Sequence, residues 1–127
     1  MILDKKHALQ QKLFRQFAET EFTKELQDEL DLTGEFNWEM HKKMARYGFM
    51  GTKIPAEYGG AGGDSLSYVL MDEEFARQDL VLAIYANTSN SLGGGPLMLA
   101  GSKEQKEKYL PRLTKGGELG AFALTEP

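Results

Sequence analysis

The sequence predicts an all-α fold, an orthogonal bundle of about six helices that ends in one short strand. Apolar residues recur at three- and four-residue steps through most of the chain, which is the spacing of amphipathic helices. Glycine, proline and small polar residues interrupt this spacing at intervals that match ordinary helix lengths. The 127 residues suit a single domain.

Two helices are predicted before residue 35. The first spans residues 3–22 and gathers its apolar residues on one face, namely Leu9, Leu13, Phe14 and Phe17. The second spans residues 23–32, and Gly34 should stop it because glycine readily takes the left-handed conformation that ends helices.

The third predicted helix begins near Asn37, whose side chain can cap it, and ends at Gly48. Its expected buried side consists of Trp38, Met44, Ala45 and Tyr47. The following run, 54–64, contains four glycines and one proline and is therefore predicted to be a loop.

A fourth helix should start at Asp64 or Ser65 and run to about Gln78, with an apolar side made of Leu66, Val69, Leu70 and Phe75. The glycines before it could cradle a phosphate, because helix amino-terminal ends attract anions. The run has no glycine-lysine-serine/threonine ending, and Asp64 would repel a phosphate, so a shaped loop is the favoured interpretation.

Residues 80–86 are apolar on every side, which predicts a helix buried all round. Five small polar residues, 87–91, and the run 93–96 of three glycines and a proline follow directly. Glycine and proline weaken a helix, so a helix that continues here must be supported by neighbours or kinked. The polar patch 88–91 could equally be the wall of a pocket or a helix-packing surface.

The last helix should open at Ser102, because 102–105 fits the S-x-x-Q capping box, and glycines 116 and 117 should close it. The apolar stretch 119–124 lacks helical spacing and is predicted to be a strand. Because a lone strand leaves its backbone groups unpaired, its partner is expected in a sheet beyond Pro127.

Composition excludes several classes of function. The chain has no cysteine and a net charge of −4, so disulfides, thiolate metal sites and nucleic-acid binding are not expected. No apolar run is long enough to span a membrane, and residues 1–6 are not expected to form a signal peptide. A soluble, cytoplasmic protein without a membrane or metal partner is the expectation.

Ionisable residues give little sign of catalysis. His7 and His41 stand among lysines and are predicted to be solvated rather than metal ligands or bases. The carboxylate pairs 73–74 and 28–29 are predicted on outer helix faces, where nothing would perturb them.

Four segments, read in order, resemble the acyl-CoA dehydrogenase family. Residues 54–62 match its proline-x-glutamate-x-glycine-glycine-x-glycine run, and 90–96 are similar to its helix beside the acyl chain. Residues 101–111 resemble the helix that follows, and 122–127 the opening of its flavin motif. The likeness covers nearly the whole chain, is loosest before residue 36, and is strongest to the short-chain, butyryl-type branch.

The resemblance implies that residues 1–117 are the family's N-terminal helical domain and 118–127 the first strand of its FAD-binding middle domain. It further implies α,β-dehydrogenation of acyl-CoA thioesters, with FAD as cofactor and an electron-transfer flavoprotein as acceptor. The family's middle and C-terminal domains and a homotetramer would be the other partners.

Site residues follow from the same resemblance. Positions that approach the flavin are matched by Phe122, Leu124 and Thr125, and the Thr125 hydroxyl and amide would bond the pyrimidine end of the flavin ring. Positions at the closed end of the acyl pocket are matched by Tyr85, Thr88, Ser89 and Leu92, of which Tyr85 and Thr88 would limit chain length. Glycines at 93–95 depart from the bulkier residues of many relatives, which would widen the pocket locally.

No catalytic residue is expected among these 127, because the family's catalytic glutamate belongs to its C-terminal domain. The chain alone is therefore expected to be inactive, to hold FAD weakly or not at all, and to expose an apolar face. Alternatives are an acyl-CoA oxidase-like flavoprotein, or a helical interaction module without cofactor, which would leave the strand before Pro127 unexplained.

Overall fold

A computed structural model describes residues 2–126; Met1 and Pro127, the latter closing the predicted flavin motif, lie outside the described residues. The helices are α1 (Lys5–Glu21), α2 (Lys24–Thr33), α3 (Trp38–Arg46), α4 (Ser65–Gln78), α5 (Leu80–Asn87), α6 (Gly94–Ala100) and α7 (Lys103–Thr114). Single 3₁₀ turns occur at Phe49–Gly51 and Ala56–Tyr58.

Residues 80–100 form one continuous helical rod. The segment Thr88–Gly93 between α5 and α6 is a wider, π-helical turn, which we call the π segment. Counted as rods, the described residues form six helices, so the all-α prediction of about six helices is confirmed. The glycines and proline that predicted a disturbance at this point are accommodated by the widened turn rather than by a break.

The helix ends lie where the sequence predicted them. Asp64 caps α4 by accepting a hydrogen bond from the Ser67 amide at 2.8 Å, and Asn37 caps α3 in the same way. Ser102 and Gln105 form both halves of the capping box of α7. Gly34 ends α2 in the left-handed conformation, at φ 65°.

The core lies where α1 packs against α4, with α5 and the turn at Phe49–Gly51 closing it. Phe75 of α4 is fully buried, and its ring makes edge contacts with Phe22 at 5.2 Å and with Phe49 at 5.3 Å. Such edge-to-face pairs add about 0.5–1.5 kcal/mol each to the stabilisation from burial.

The prediction that residues 80–86 are buried all round is wrong for the described structure. Leu82 and Tyr85 face the core, but Leu80, Val81 and Ile84 are about half exposed or more. The core covers one side of α5, and its other side forms an uncovered apolar face of the kind that was expected.

Several residues predicted on the buried faces of other helices are also exposed, namely Leu9, Leu13, Trp38, Tyr47 and Val69. Of the residues predicted on the apolar face of α1, Phe14 and Phe17 do face the core, and His7 and Ala18 face it as well. An apolar stripe wider than the contact between two helices leaves its margin in solvent, and periodicity alone does not locate that margin.

Residues 115–126 follow α7, and among the described residues they form neither a helix nor a strand after the turn at 115–118. We call 118–126 the carboxyl-terminal segment. The strand predicted at 119–124 is not formed here, because ladder hydrogen bonds require a neighbouring strand and the described residues contain none. None of the described helices has the length and apolarity to cross a membrane.

Candidate functional site

The polar patch predicted at 88–91 coincides with the π segment. Wide helical turns of this kind occur frequently at functional sites. Thr88 is half-buried, and its hydroxyl donates a hydrogen bond to the Tyr85 carbonyl at 2.8 Å. Ser89 is fully buried, and within the described residues its hydroxyl has no hydrogen-bond partner.

The Asn90 side chain attaches the π segment to residues 49–53, which include the turn at Phe49–Gly51. Its side-chain amide donates to the carbonyls of Phe49 at 2.7 Å and Ala86 at 3.0 Å, and its oxygen accepts from the Lys53 amide at 3.3 Å. The side chain is 1% exposed. For this residue the packing interpretation of the polar patch is therefore the right one.

Tyr85 lies one turn before the π segment, and its side chain is part of the core. Its hydroxyl accepts a hydrogen bond from the Asn37 amide at 2.9 Å, and its ring stacks on Phe36 at 4.1 Å between centroids. It therefore ties α5 to the start of α3. Neither its ring nor its hydroxyl lines the cavity described below.

The carboxyl-terminal segment crosses the π segment at Gly93 and Gly120, and we call this contact the glycine crossing. A Cβ atom built on Gly93 would lie 2.5 Å from the Gly120 Cα. One built on Gly120 would lie 2.5 Å from the Thr88 carbonyl oxygen and 2.6 Å from the Gly93 Cα. The two backbones thus touch directly, at a distance that only glycine permits on both sides.

A cavity of about 340 Å³ lies beside the glycine crossing. Its lining consists of Leu92, Gly93, Pro96, Leu97, Tyr109, Leu113, Glu118, Leu119, Gly120, Ala121 and Phe122. The structure therefore brings together Leu92, a predicted acyl-pocket residue, and Phe122, a predicted flavin residue. The other three predicted acyl-pocket residues do not line this cavity; they are Tyr85, Thr88 and Ser89.

The other two predicted flavin residues lie beyond the cavity. Leu124 is 71% exposed and Thr125 is exposed as well, while Phe122 is 53% exposed. Their side chains therefore lie in solvent at the end of the described chain.

The glycine-rich loop 59–63 cannot cradle a phosphate in this conformation. The amides of residues 60–63 donate to carbonyls of the chain itself, among them Gly63 to Thr52 at 2.7 Å and Ala61 to Gly51 at 2.8 Å. A phosphate cradle needs such amides to point at the ligand. The interpretation as a shaped loop holds for the described structure.

A polar cluster next to the π segment was missed by the sequence analysis. Tyr68 and Asp72 lie one turn apart on α4, and the Asn87 amide donates to Asp72 at 3.3 Å. The Lys53 ammonium lies 4.9 Å from the centre of the Tyr68 ring. Burial raises the pKa of both the Asp72 carboxyl and the Tyr68 phenol. The i, i+4 spacing of Tyr68 and Asp72 was the signal in the sequence, but nothing there indicated that they are half-buried.

Both histidines were wrongly predicted to be solvated. His7 is 8% exposed, and its ring lies between Asp4, 2.9 Å from Nδ1, and Asp64, 3.0 Å from Nε2. These hydrogen bonds, the Asp64 one foremost, raise the pKa of His7. His41 is fully buried with Nδ1 3.1 Å from the Gly116 carbonyl, and burial lowers its pKa.

The prediction of a solvated face at 73–74 is wrong for Glu74, whose side chain is fully buried between α4 and α1. Its carboxylate accepts hydrogen bonds from the Arg15 guanidinium and, at 2.9 Å, from the Gln11 amide. The Arg15 hydrogen bonds hold the pKa of Glu74 below its ordinary value. This pair fastens two helices together rather than forming a reaction centre, and residues 2–126 contain no group of three ligands placed for a metal ion.

Comparison with known proteins shows which family the chain belongs to. Residues 4–117 match the family model "Acyl-CoA dehydrogenase, N-terminal domain". The chain is 50% identical over its full length to the caffeyl-CoA reductase-Etf complex subunit CarC of Acetobacterium woodii, covering 34% of that protein. It is also 50% identical over its full length to the 3-(aryl)acrylate reductase of Clostridium sporogenes, covering 33% of it.

A solved structure of a related protein has the same fold as this chain. Butyryl-CoA dehydrogenase from Megasphaera elsdenii superposes on the whole chain with a TM-score of 0.86 at 35% sequence identity, and 34% of that structure is covered. The chain thus spans about a third of the length of the proteins it matches.

Proposed function

Because the chain belongs to the acyl-CoA dehydrogenase N-terminal domain family, we propose that it is the N-terminal part of a flavin-dependent acyl-CoA dehydrogenase. In this proposal, residues 1–117 are the helical domain and 118–127 begin a flavin-binding middle domain. The end of the family-model match at residue 117 supports this division.

One observation carries the proposal, namely that Leu92 and Phe122 line the same cavity. Leu92 belongs to the segment proposed to face the acyl chain, and Phe122 to the segment proposed to face the flavin. Hydride transfer requires the substrate carbon and the flavin to be held in near-attack geometry. A wall that joins the two segments supports this proposal.

The exposure of the carboxyl-terminal segment supports a role in flavin binding. Its proposed flavin residues Phe122, Leu124 and Thr125 are exposed, so neither the apolar side chains nor the Thr125 hydroxyl is enclosed within the bundle. We propose that the Thr125 hydroxyl and amide bond the pyrimidine edge of the flavin ring while Phe122 and Leu124 pack beside it. Bound FAD would supply the two-electron chemistry, and this chain would bind, orient and shield from water.

The substrate proposed for this site is a short-chain acyl-CoA, and the likeness to butyryl-CoA dehydrogenase supports it. The roles of Tyr85 and Thr88 in limiting the chain length stay predictions, since neither residue lines the cavity beside Leu92. A glutamate outside these 127 residues would take the α-proton. The proposed partners are an electron-transfer flavoprotein and the other domains of a homotetramer; the name of the CarC relative supports the flavoprotein.

A second candidate is the reverse reaction, reduction of an aryl-substituted enoyl-CoA. Two relatives that are 50% identical are named as a caffeyl-CoA reductase subunit and a 3-(aryl)acrylate reductase. Dehydrogenation and enoyl reduction are one two-electron reaction in opposite directions, in which a β-hydride and an α-proton leave the thioester or return to it, so one site serves either direction. The choice between the candidates lies in the preferred substrate and its direction.

The test is to purify the product of the native gene that encodes these residues and to measure its flavin and its activity. Bound FAD with oxidation of butyryl-CoA supports the first candidate; faster reduction of cinnamoyl-CoA supports the second. Absence of flavin and of both activities contradicts the proposal.

A pair of variants tests the residue roles. Thr125→Ala should weaken FAD retention, whereas Thr33→Ala, at an exposed threonine of α2, should leave it unchanged. Equal retention in the two variants would contradict the role proposed for Thr125.

A further inference from the structure

The glycine crossing is the place where the two proposed halves of the site touch. The atoms that a methyl group on Gly93 or Gly120 would meet are mainly backbone atoms, which cannot rotate away as a side chain can. The Gly93 methyl would also meet the Thr88 carbonyl oxygen at 3.1 Å and the Leu113 side chain at 3.3 Å.

Two other glycines, Gly95 and Gly117, differ from Gly93 and Gly120 because they have room for a side chain. Gly95 lies two residues after Gly93 on the same helical rod, and Gly117 lies three residues before Gly120. A Cβ atom on either would meet nothing within 4 Å. Each is therefore a matched control for its partner in the glycine crossing.

We propose that Gly93 and Gly120 are positioning residues for the flavin. Their contact sets the distance between the π segment, which faces the acyl chain, and the carboxyl-terminal segment, which presents Phe122 and Thr125. The inference rests on the proposed function, and it assigns the alignment of flavin and acyl chain to a backbone contact rather than to side chains.

The expected displacement follows from the distances. Carbon atoms in contact normally stand about 3.5–4.0 Å apart, so a methyl group placed 2.5 Å from a backbone atom requires a shift of about 1 Å. A misplacement of about 1 Å in reacting groups can reduce a rate on the order of 100-fold. Gly93→Ala and Gly120→Ala should therefore lower kcat by about 10- to 100-fold.

The first measurement concerns the contact itself, in the 127-residue chain. Amide NMR chemical shifts of residues 118–124 should change in Gly93→Ala and keep their wild-type values in Gly95→Ala. Circular dichroism checks that both variants keep their helices. Wild-type shifts of residues 118–124 in both variants, with helices intact, overturn the inference.

The second measurement uses the full flavoprotein and a readout that loss of stability does not move. The visible absorption spectrum and reduction potential of bound FAD should change in Gly93→Ala and Gly120→Ala, with kcat affected more than KM. Gly117→Ala should match the wild type. Wild-type spectra, potentials and kcat in both Gly93→Ala and Gly120→Ala overturn the inference.

The two proposals fail separately. A wild-type protein that binds no flavin contradicts the proposed function and, with it, the positioning role. A wild-type protein that binds flavin and acts on acyl-CoA, while Gly93→Ala and Gly120→Ala behave like the wild type, contradicts the positioning role alone.

Discussion

The Arg15 guanidinium holds the buried Glu74 carboxylate through two hydrogen bonds, from Nε to Oε2 at 2.9 Å and from Nη2 to Oε1 at 2.8 Å. The two residues lie on α1 and α4, the helix pair that forms the core. A carboxylate without any exposed surface keeps its charge at small cost only while such donors surround it.

Replacement of Arg15 by Gln should destabilise the fold by about 2–3 kcal/mol, since Glu74 would lose its charged partner and keep Gln11 alone as close donor. The figure lies below the range for fully buried pairs because the Arg15 side chain is 45% exposed. Urea unfolding measures the loss. Arg77→Gln is the control, because the Arg77 guanidinium stands 4.0 Å from Glu74 and should matter by about 0.5 kcal/mol or less. Equal losses of stability in Arg15→Gln and Arg77→Gln would contradict the role of Arg15 as the main partner of Glu74.

Local signals were the part of the fold that the sequence predicted well. Asp64, Ser102 and Gly34 act within one turn of their own position, so their capping roles could be read directly from the chain. Burial of individual residues could not, because it depends on which helix covers which face. Glu74 and Glu73 are neighbours in sequence, yet one is buried and the other exposed.

The site was predictable in part for the same reason. The run 88–95 carried the signs of a disturbed helix, namely polar residues, glycines and a nearby proline, and a π-helical turn lies there. The contact between Gly93 and Gly120 joins residues 27 positions apart, so no local pattern could reveal it. Tyr68 and Asp72 were missed because their burial is a property of the assembled helices.

The two histidines should titrate in opposite directions from the ordinary value of 6.5. Hydrogen bonds to Asp64 and Asp4 raise the pKa of His7, and burial lowers that of His41. Histidine NMR resonances followed over pH should give one midpoint above 6.5 and one below it, and His7→Gln assigns the pair. Two midpoints on the same side of 6.5 would contradict the description of one of the two sites.

Stability should depend on pH with the matching signs. The folded pKa of His7 is raised, so its contribution is fully present below 6.5 and is lost as the pH rises through the folded value. The free energy of unfolding of wild type minus His7→Gln should therefore be larger at pH 5.5 than at pH 8.5. In His7→Gln itself, His41 remains, and its contribution is lost as the pH falls below 6.5. If this difference in the free energy of unfolding grew with pH instead, the ion pairs of His7 with Asp4 and Asp64 would be ruled out.

The glycine-rich loop should tolerate no side chain at Gly60. A methyl group there would lie well inside van der Waals contact with the Ile54 carbonyl, which is backbone and has no other rotamer. Gly60→Ala should cost at least about 1–3 kcal/mol, as overpacking does elsewhere, and thermal unfolding measures it. Gly117→Ala, which meets nothing within 4 Å, should stay within about 0.5 kcal/mol of the wild type. A wild-type melting temperature for Gly60→Ala would show that the loop adopts another course.

Asn90 should be the polar residue of the π segment on which the fold depends most. Replacement by Ala removes the acceptor of the Lys53 amide and leaves the Phe49 carbonyl with only the long hydrogen bond of 3.3 Å from the Thr52 hydroxyl. The expected loss is about 2–3 kcal/mol in urea unfolding, since a buried group left unpaired costs about 1–3 kcal/mol. Asn87→Ala removes the same side chain one turn earlier, where a single hydrogen bond of 3.3 Å is at stake, and should cost about 1 kcal/mol or less. A larger loss for Asn87 than for Asn90 would mean that the polar patch serves the neighbouring Tyr68 and Asp72 cluster rather than the attachment of the π segment to the core.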